Sequence, residues 1–224
     1  MIPGMTGPVA GFASGVLRSI TQTDVRSTLA APHSDVEWGP AVAGSWVLLF
    51  AHHDGTPTDP GTTPTATIGG VPATRHVART TGSGGGSASG AAIFSAQPSG
   101  TSGTVVVSWN SLPTAIVVAR VIGYDLSSAF ATSGATSGSG TVSLDVPSNG
   151  LIVGNVKRGR NDAITWTNLT EIGDEILFDG ALQRRHSWGW DLMMPQEAAR
   201  SISYSPFEST NGLNAVTVAS FSPS

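Results

Sequence analysis

GTVSLDVPSNGLIVGNV, residues Gly140 to Val156, decides the fold class. Val142, Leu144 and Val146 alternate with Ser143 and Asp145, which is the period of a strand with one buried face. Pro147-Ser148-Asn149-Gly150 is turn chemistry, and Leu151-Ile152-Val153 starts an apolar run on the far side. Read alone, the stretch predicts a β-hairpin.

The same signals recur on both sides of it. GSWVLLFAHH from Gly44 is a dense apolar run that suits a strand buried on both faces. PTATIGGVPATRHVART predicts one or two strands around a turn at Gly69-Gly70. GAAIFSAQ, GTVVVSWN, LPTAIVVARVIGYD, ITWTNL, ALQRRHSWGWDLM, RSISYS and NAVTVASF follow as further strands. Only SITQTDVRSTL, GDEILFDGALQ and PQEAARS suggest short helices. Ten or eleven strands without intervening helices, and no fixed-period repeat, predict an all-β, antiparallel two-sheet β-sandwich of jelly-roll type. Residues 82–90 and 131–140 are expected as long loops at its ends. Residues 1–40, rich in Gly and Pro and without a sustained period, are expected as an extended N-terminal arm. Residues 41–224 then form the sandwich domain. In the arm, Ile2, Met5, Phe12 and Leu17 are the candidate assembly contacts.

Composition narrows the function. Of 224 residues, 28 are Ser, 24 Thr and 28 Gly, and 12% are charged. With a net charge of −4 and Lys157 as the sole lysine, the chain lacks the basic field that drives nucleic-acid binding. Lys157-Arg158-Gly159-Arg160 is expected as a solvated loop tip. Without cysteine there is no disulfide, thiolate metal site or thiol nucleophile. No apolar run reaches the roughly 18 residues of a membrane span, and the N-terminus lacks a signal-peptide pattern. No membrane insertion and no export are expected.

The motifs exclude more than they assign. In Gly82-Ser83-Gly84-Gly85-Gly86-Ser87, Ser87 stands where a dinucleotide fingerprint needs its third glycine, and a strand-like AAIF follows. GK[ST], GxSxG and HExxH are absent. His52 and His53 neighbour Asp54 and Asp59, but adjacent strand residues point to opposite faces. Asp162, Glu171, Asp174, Glu175 and Asp179 offer carboxylates for glycoside chemistry without singling out a pair. No metal and no cofactor are expected. His186, Trp188 and Trp190 share one strand face. Exposed, they would form a platform for sugar rings; buried, they are core, as are Trp46, Trp109 and Trp166.

The succession from ATIGGVPATRHVART through IFSAQPSGTSGTVVV, then VPSNGLIV and TWTNLTE, over residues 65–172, resembles β-sandwich virion proteins of tailed phages and gene transfer agents. That resemblance implies a non-enzymatic virion protein on the head, as decoration or spike, or on the tail. Its implied partners are other virion proteins, reached through the arm, and further copies of itself. A carbohydrate-binding module for host surface glycans and a polysaccharide-degrading enzyme are the alternatives.

Overall fold

The computed structural model describes residues 17–54, 63–81, 89–110, 113–136, 140–178, 183–206 and 214–224. Every element among them is a strand: β1 (Ser19–Ala30), β2 (His33–Glu37), β3 (Trp46–Asp54), β4 (Thr65–Ile68), β5 (Val71–Pro72), β6 (Thr74–Thr81), β7 (Ser89–Ala96), β8 (Ser102–Ser108), β9 (Thr114–Ile122), β10 (Ala131–Thr136), β11 (Thr141–Val146), β12 (Gly150–Arg158), β13 (Thr165–Thr167), β14 (Glu171–Phe178), β15 (Gln183–Met194), β16 (Glu197–Ser205) and β17 (Ala215–Phe221). The all-β, antiparallel sandwich is what the sequence predicts, with more and shorter strands. Of the three helix-like stretches, SITQTDVRSTL lies in β1, GDEILF in β14 and EAARS in β16, while residues 179–182 lie outside the described residues. In each, pairing with neighbouring strands overrides a weak local propensity.

The layers number four rather than two. β6-β7-β3-β9-β1 forms one five-stranded sheet and β10-β17-β12-β15-β14 another; a single parallel bridge, Thr28 to Phe178, joins them edge to edge. The two sheets face each other across Leu48, Phe50, Val117, Val153, Trp188, Trp190 and Phe221. The outer face of the first is covered by β2-β8-β4-β5 over Val47, Leu49, Phe94 and Trp109. The outer face of the second is covered by β11-β16-β13 over Ile152, Val156, Trp166 and Tyr204. Strands β7, β12 and β17 therefore lie between two cores and are buried at every residue, and β9 is buried at all but its last. This accounts for their unbroken apolar runs. β11 belongs to an outer sheet and keeps its alternation.

The opening stretch is thus a turn but not a hairpin. Gly150 N donates to Pro147 O at 2.9 Å and Asn149 takes φ 55°. β11 then pairs with β16, whereas β12 pairs with β15 and β17. The one-face and two-face patterns on its two sides mark strands of different layers.

The halves repeat one winding. In the first, the large sheet runs β6-β7-β3-β9-β1 under β2-β8-β4. In the second, β14-β15-β12-β17-β10 lies under β11-β16-β13. Taken in chain order, β3 answers to β12, β7 to β15, β8 to β16 and β9 to β17. Leu48, Phe50 and His52 then correspond to Leu151, Val153 and Asn155, all facing the seam between the halves. The repeat is one of topology, invisible as a fixed sequence period.

Much of the arm expected over residues 1–40 belongs to the body, and residues 1–16 lie outside the described residues. β1 pairs with β9 from Ser19–Ile122 to Ala30–Thr114, and β2 pairs with β8, so residues 19–37 are part of the first half. β1 carries no regular period because its burial is intermediate along most of its length. Likewise residues 131–136 of the expected second loop form β10 on β17. Residues 82–88 and 137–139 of the two loops lie outside the described residues.

The two ends of the molecule differ. Ser19 pairs with Ile122, Leu151 with Phe221 and Tyr124 with Pro223, so the start of β1 and the carboxy-terminal residues lie at one end, here the terminus end. At the other, the loop end, Asp54 meets Ser89, Thr81 meets Ser89, Thr136 meets Ala215 and Phe178 meets Gln183. Strands flanking residues 55–62, 82–88, 137–139, 179–182 and 207–213 all open there.

Candidate functional site

The seam between the halves is apolar toward the terminus end and polar toward the loop end. The change occurs within single strands. On β3, Leu48 and Phe50 are followed at the same parity by His52; on β12, Leu151 and Val153 are followed by Asn155 and Lys157. On β15, Trp190 and Trp188 are followed by His186, and on β17 Ala219 is followed by Thr217. All of these polar side chains are fully buried. Burying them without partners would cost several kcal/mol each, so their hydrogen bonds are the central question.

Those bonds form a single string that crosses the seam repeatedly. Thr217 Oγ1 donates to Asn155 Oδ1. Asn155 Nδ2 donates to Ala92 O at 3.2 Å and meets His52 Nε2 at 3.2 Å. His52 Nδ1 meets His186 Nδ1 at 3.1 Å, His186 Nε2 meets Ser27 Oγ at 3.1 Å, and Ser27 Oγ donates to Glu175 Oε2. The rings of His52 and His186 pack edge to face at 4.6 Å. Lys157 Nζ donates beside them to Ser89 Oγ on β7.

One acceptor fixes the direction of the whole string. The carbonyl of Ala92 can only accept, so the Asn155 amide nitrogen must face it. His52 Nε2, facing the same nitrogen, must then accept, which leaves the proton on His52 Nδ1. His186 Nδ1 accepts that proton's bond, so its own proton is on Nε2 and is donated to Ser27. Ser27 passes its hydroxyl proton outward to Glu175.

Ser27, His186 and His52 have the spacing of a nucleophile, base and orienting residue. Ser27 is half-buried and lines a groove of about 370 Å3 with Val25, Ala30 and His33. The donor order is nevertheless reversed for that task. A general base must accept the hydroxyl proton, and here His186 gives one to the hydroxyl. Burial also lowers His186 to about 3 and holds His52 well below the usual imidazole range, with the charges of His186 and Lys157 adding to the latter. Neutral imidazoles tying two sheets together are what this geometry provides.

The expected sugar platform is absent. Trp188 is 1% exposed and Trp190 8%, and His186 is buried within the string. Trp188 Nε1 donates to Gln22 Oε1 at 2.8 Å, and its ring lies against the backbone of Gly173, where a Cβ would fall 2.2 Å from Cζ2. Both tryptophans are core, as are Trp109 and Trp166, while Trp46 is partly buried against the same core. The expected solvated tip is corrected in the same way. Lys157 and Arg158 end β12 fully buried, and Arg158 reaches Asp162 at 3.4 Å. A strand between two cores carries its last residues inside.

His52 and His53 do point to opposite sides: His53 Nδ1 meets Pro113 O at 3.0 Å, away from the seam. Of the candidate carboxylates, Asp174 accepts from Ile164 N and Arg185 Nη1, both at 3.0 Å, and Glu175 ends the string. Asp179 lies outside the described residues. Among the described residues, no three His, Asp or Glu side chains gather to hold a metal ion. Of the assembly candidates, Ile2, Met5 and Phe12 lie outside the described residues, and Leu17 is 71% exposed at the terminus end. Sequence reasoning missed Ser27 and Asn155. Asn155 carries a signal, a lone amide at inward parity in an apolar run; Ser27 carries none.

No known family model, no curated protein and no solved structure matches the chain.

Proposed function

We propose that this chain is a non-catalytic structural protein of a tailed-phage or gene-transfer-agent particle, on its head or tail, fixed by its terminus end with its loop end turned outward. The polarity of the molecule carries this reading. The start of β1 and the carboxy-terminal residues meet at one end of a double sandwich. Connections rich in Gly, Ser and Thr leave from the other. Loops on a rigid scaffold are where contact with the outside concentrates.

Three further observations support it. The strand order of each half fits a jelly roll, a winding suited to packed shells and their attachments. The low charge leaves little for nucleic acid to bind. Of the serines bonded to a histidine among the described residues, Ser27 takes the His186 proton and Ser95, beside His76, gives its own proton to Leu126 O, an order that ties rather than activates. Its partners would be other particle proteins and further copies of this chain.

The test is incorporation. An epitope-tagged chain, expressed in a host that produces the particles, should sediment with them through a density gradient and withstand a salt wash. A tagged, folded chain found only in the soluble fraction would refute the proposal.

A further inference from the structure

Among the described residues, four of the five large apolar side chains left in solvent lie at the terminus end: Leu17 is 71% exposed, Met193 59%, Phe130 52% and Val42 47%, while the fifth, Ile172 at 40%, lies on β14. Tyr124 and its neighbour Gly123 lie beside two of them. Met193 N donates to the Tyr124 hydroxyl at 3.0 Å, and a Cβ on the adjacent Gly123 would fall 2.6 Å from Leu17 O. Phe130 N donates to Ser220 O at 2.8 Å on the strand that leads to the carboxy terminus. Scattered exposed apolar residues are ordinary, but a cluster at one end marks a contact surface.

We infer that this face seats residues 1–16 of a second copy of the chain. The segment, MIPGMTGPVAGFASGV, has no charged side chain and supplies Ile2, Met5, Val9, Phe12 and Val16. Six of its sixteen residues are Gly or Pro, which disfavours a helix of its own and leaves its apolar groups to find cover elsewhere. It joins the body at Leu17, within the face itself. β1 runs from the terminus end toward the loop end, starting at Ser19 opposite Ile122. The chain therefore enters the body at its terminus end, where a neighbouring copy can meet it. Sixteen extended residues reach about 50 Å, enough to cross to that neighbour. Exchange of the segment between copies gives a closed, self-complementary contact. The inference deepens the particle reading, on which it rests only in taking the chain to work in several copies.

The chain has no cysteine, so introduced thiols report without background. Phe12→Cys in one chain and Met193→Cys in another, co-expressed and mildly oxidised, should give a disulfide-linked pair of chains. Phe12→Cys with Ser108→Cys, at the loop end, should not. Light scattering should give the full chain a multi-copy mass. It should give a single-copy mass for both a chain lacking residues 1–16 and a Phe130→Ser, Met193→Ser variant. All three should unfold in one cooperative transition. A chain carrying both Phe12→Cys and Met193→Cys that closes on itself in preference to a second copy would overturn the inference. So would a single-copy mass for the full chain, or a multi-copy mass for the truncated one. Particle incorporation separates the two claims. A single-copy chain that still joins particles sinks this inference alone, and a multi-copy chain that does not sinks the particle reading alone.

Discussion

Acid should take this protein apart earlier than its carboxylates alone would dictate. His186 is buried neutral and lowered from 6.5 to about 3 by burial; His76, packed on Phe221, is lowered to about 4 by the same cause; His52 lies well below 6.5. For a histidine with a depressed folded pKa, the unfolded chain binds the proton first. Stability is therefore intact above about pH 6.5 and falls as pH drops from there toward the folded value. Each such group costs about 1.4 kcal/mol per pH unit inside that window. At about pH 4.5, two units below the unfolded value, His186 and His76 together cost about 5 kcal/mol, and His52 acts in the same direction. That is a large share of the roughly 5–15 kcal/mol that holds a domain folded. Glu171 and Asp174, raised by burial, act the opposite way, but only nearer the carboxylate range. Urea unfolding followed by tryptophan fluorescence, at steps from about pH 7 to about pH 4.5, should show the midpoint falling at constant slope. His186→Gln should remove about one proton's worth of that dependence. A midpoint that holds steady between about pH 6.5 and 5, or a His186→Gln chain with the full dependence, would refute the assignment of buried neutral imidazoles.

Three other perturbations probe the same architecture. Asn155→Ala leaves His52 Nε2, the Thr217 hydroxyl and Ala92 O without their partner, and should cost about 3 kcal/mol or more in chemical denaturation. Gly173→Ala puts a methyl group into the Trp188 ring, and should cost about 1–3 kcal/mol with a shift in tryptophan emission. Removing residues 1–40 takes away β1 and β2 and should abolish the cooperative transition. Removing residues 1–16 should leave it in place, as calorimetry would show.

Much of the fold was legible because burial writes itself into strand patterns. Alternation in TVSLDV and the unbroken run in LIVGNV name an outer and an inner strand before any coordinates. Assigning them to one hairpin failed because a tight turn fixes only chain reversal, and here it passes the chain between layers. β1 escaped notice since its half-buried residues carry no period, and its place is set by β9, about a hundred residues away. The seam was only partly legible. His52 and His186 stood out as residues, but their meeting depends on the docking of two halves. The charged tip at Lys157 misled because charge normally marks solvent, whereas this strand end is enclosed from both sides.

The orientation of the chain on its particle tests the central claim most directly. Electron cryomicroscopy of intact particles, even at low resolution, should show a two-lobed β density joined to the particle by its terminus end. The loop end should face solvent. Attachment through the loop end, or particles that lack the chain altogether, would contradict the account.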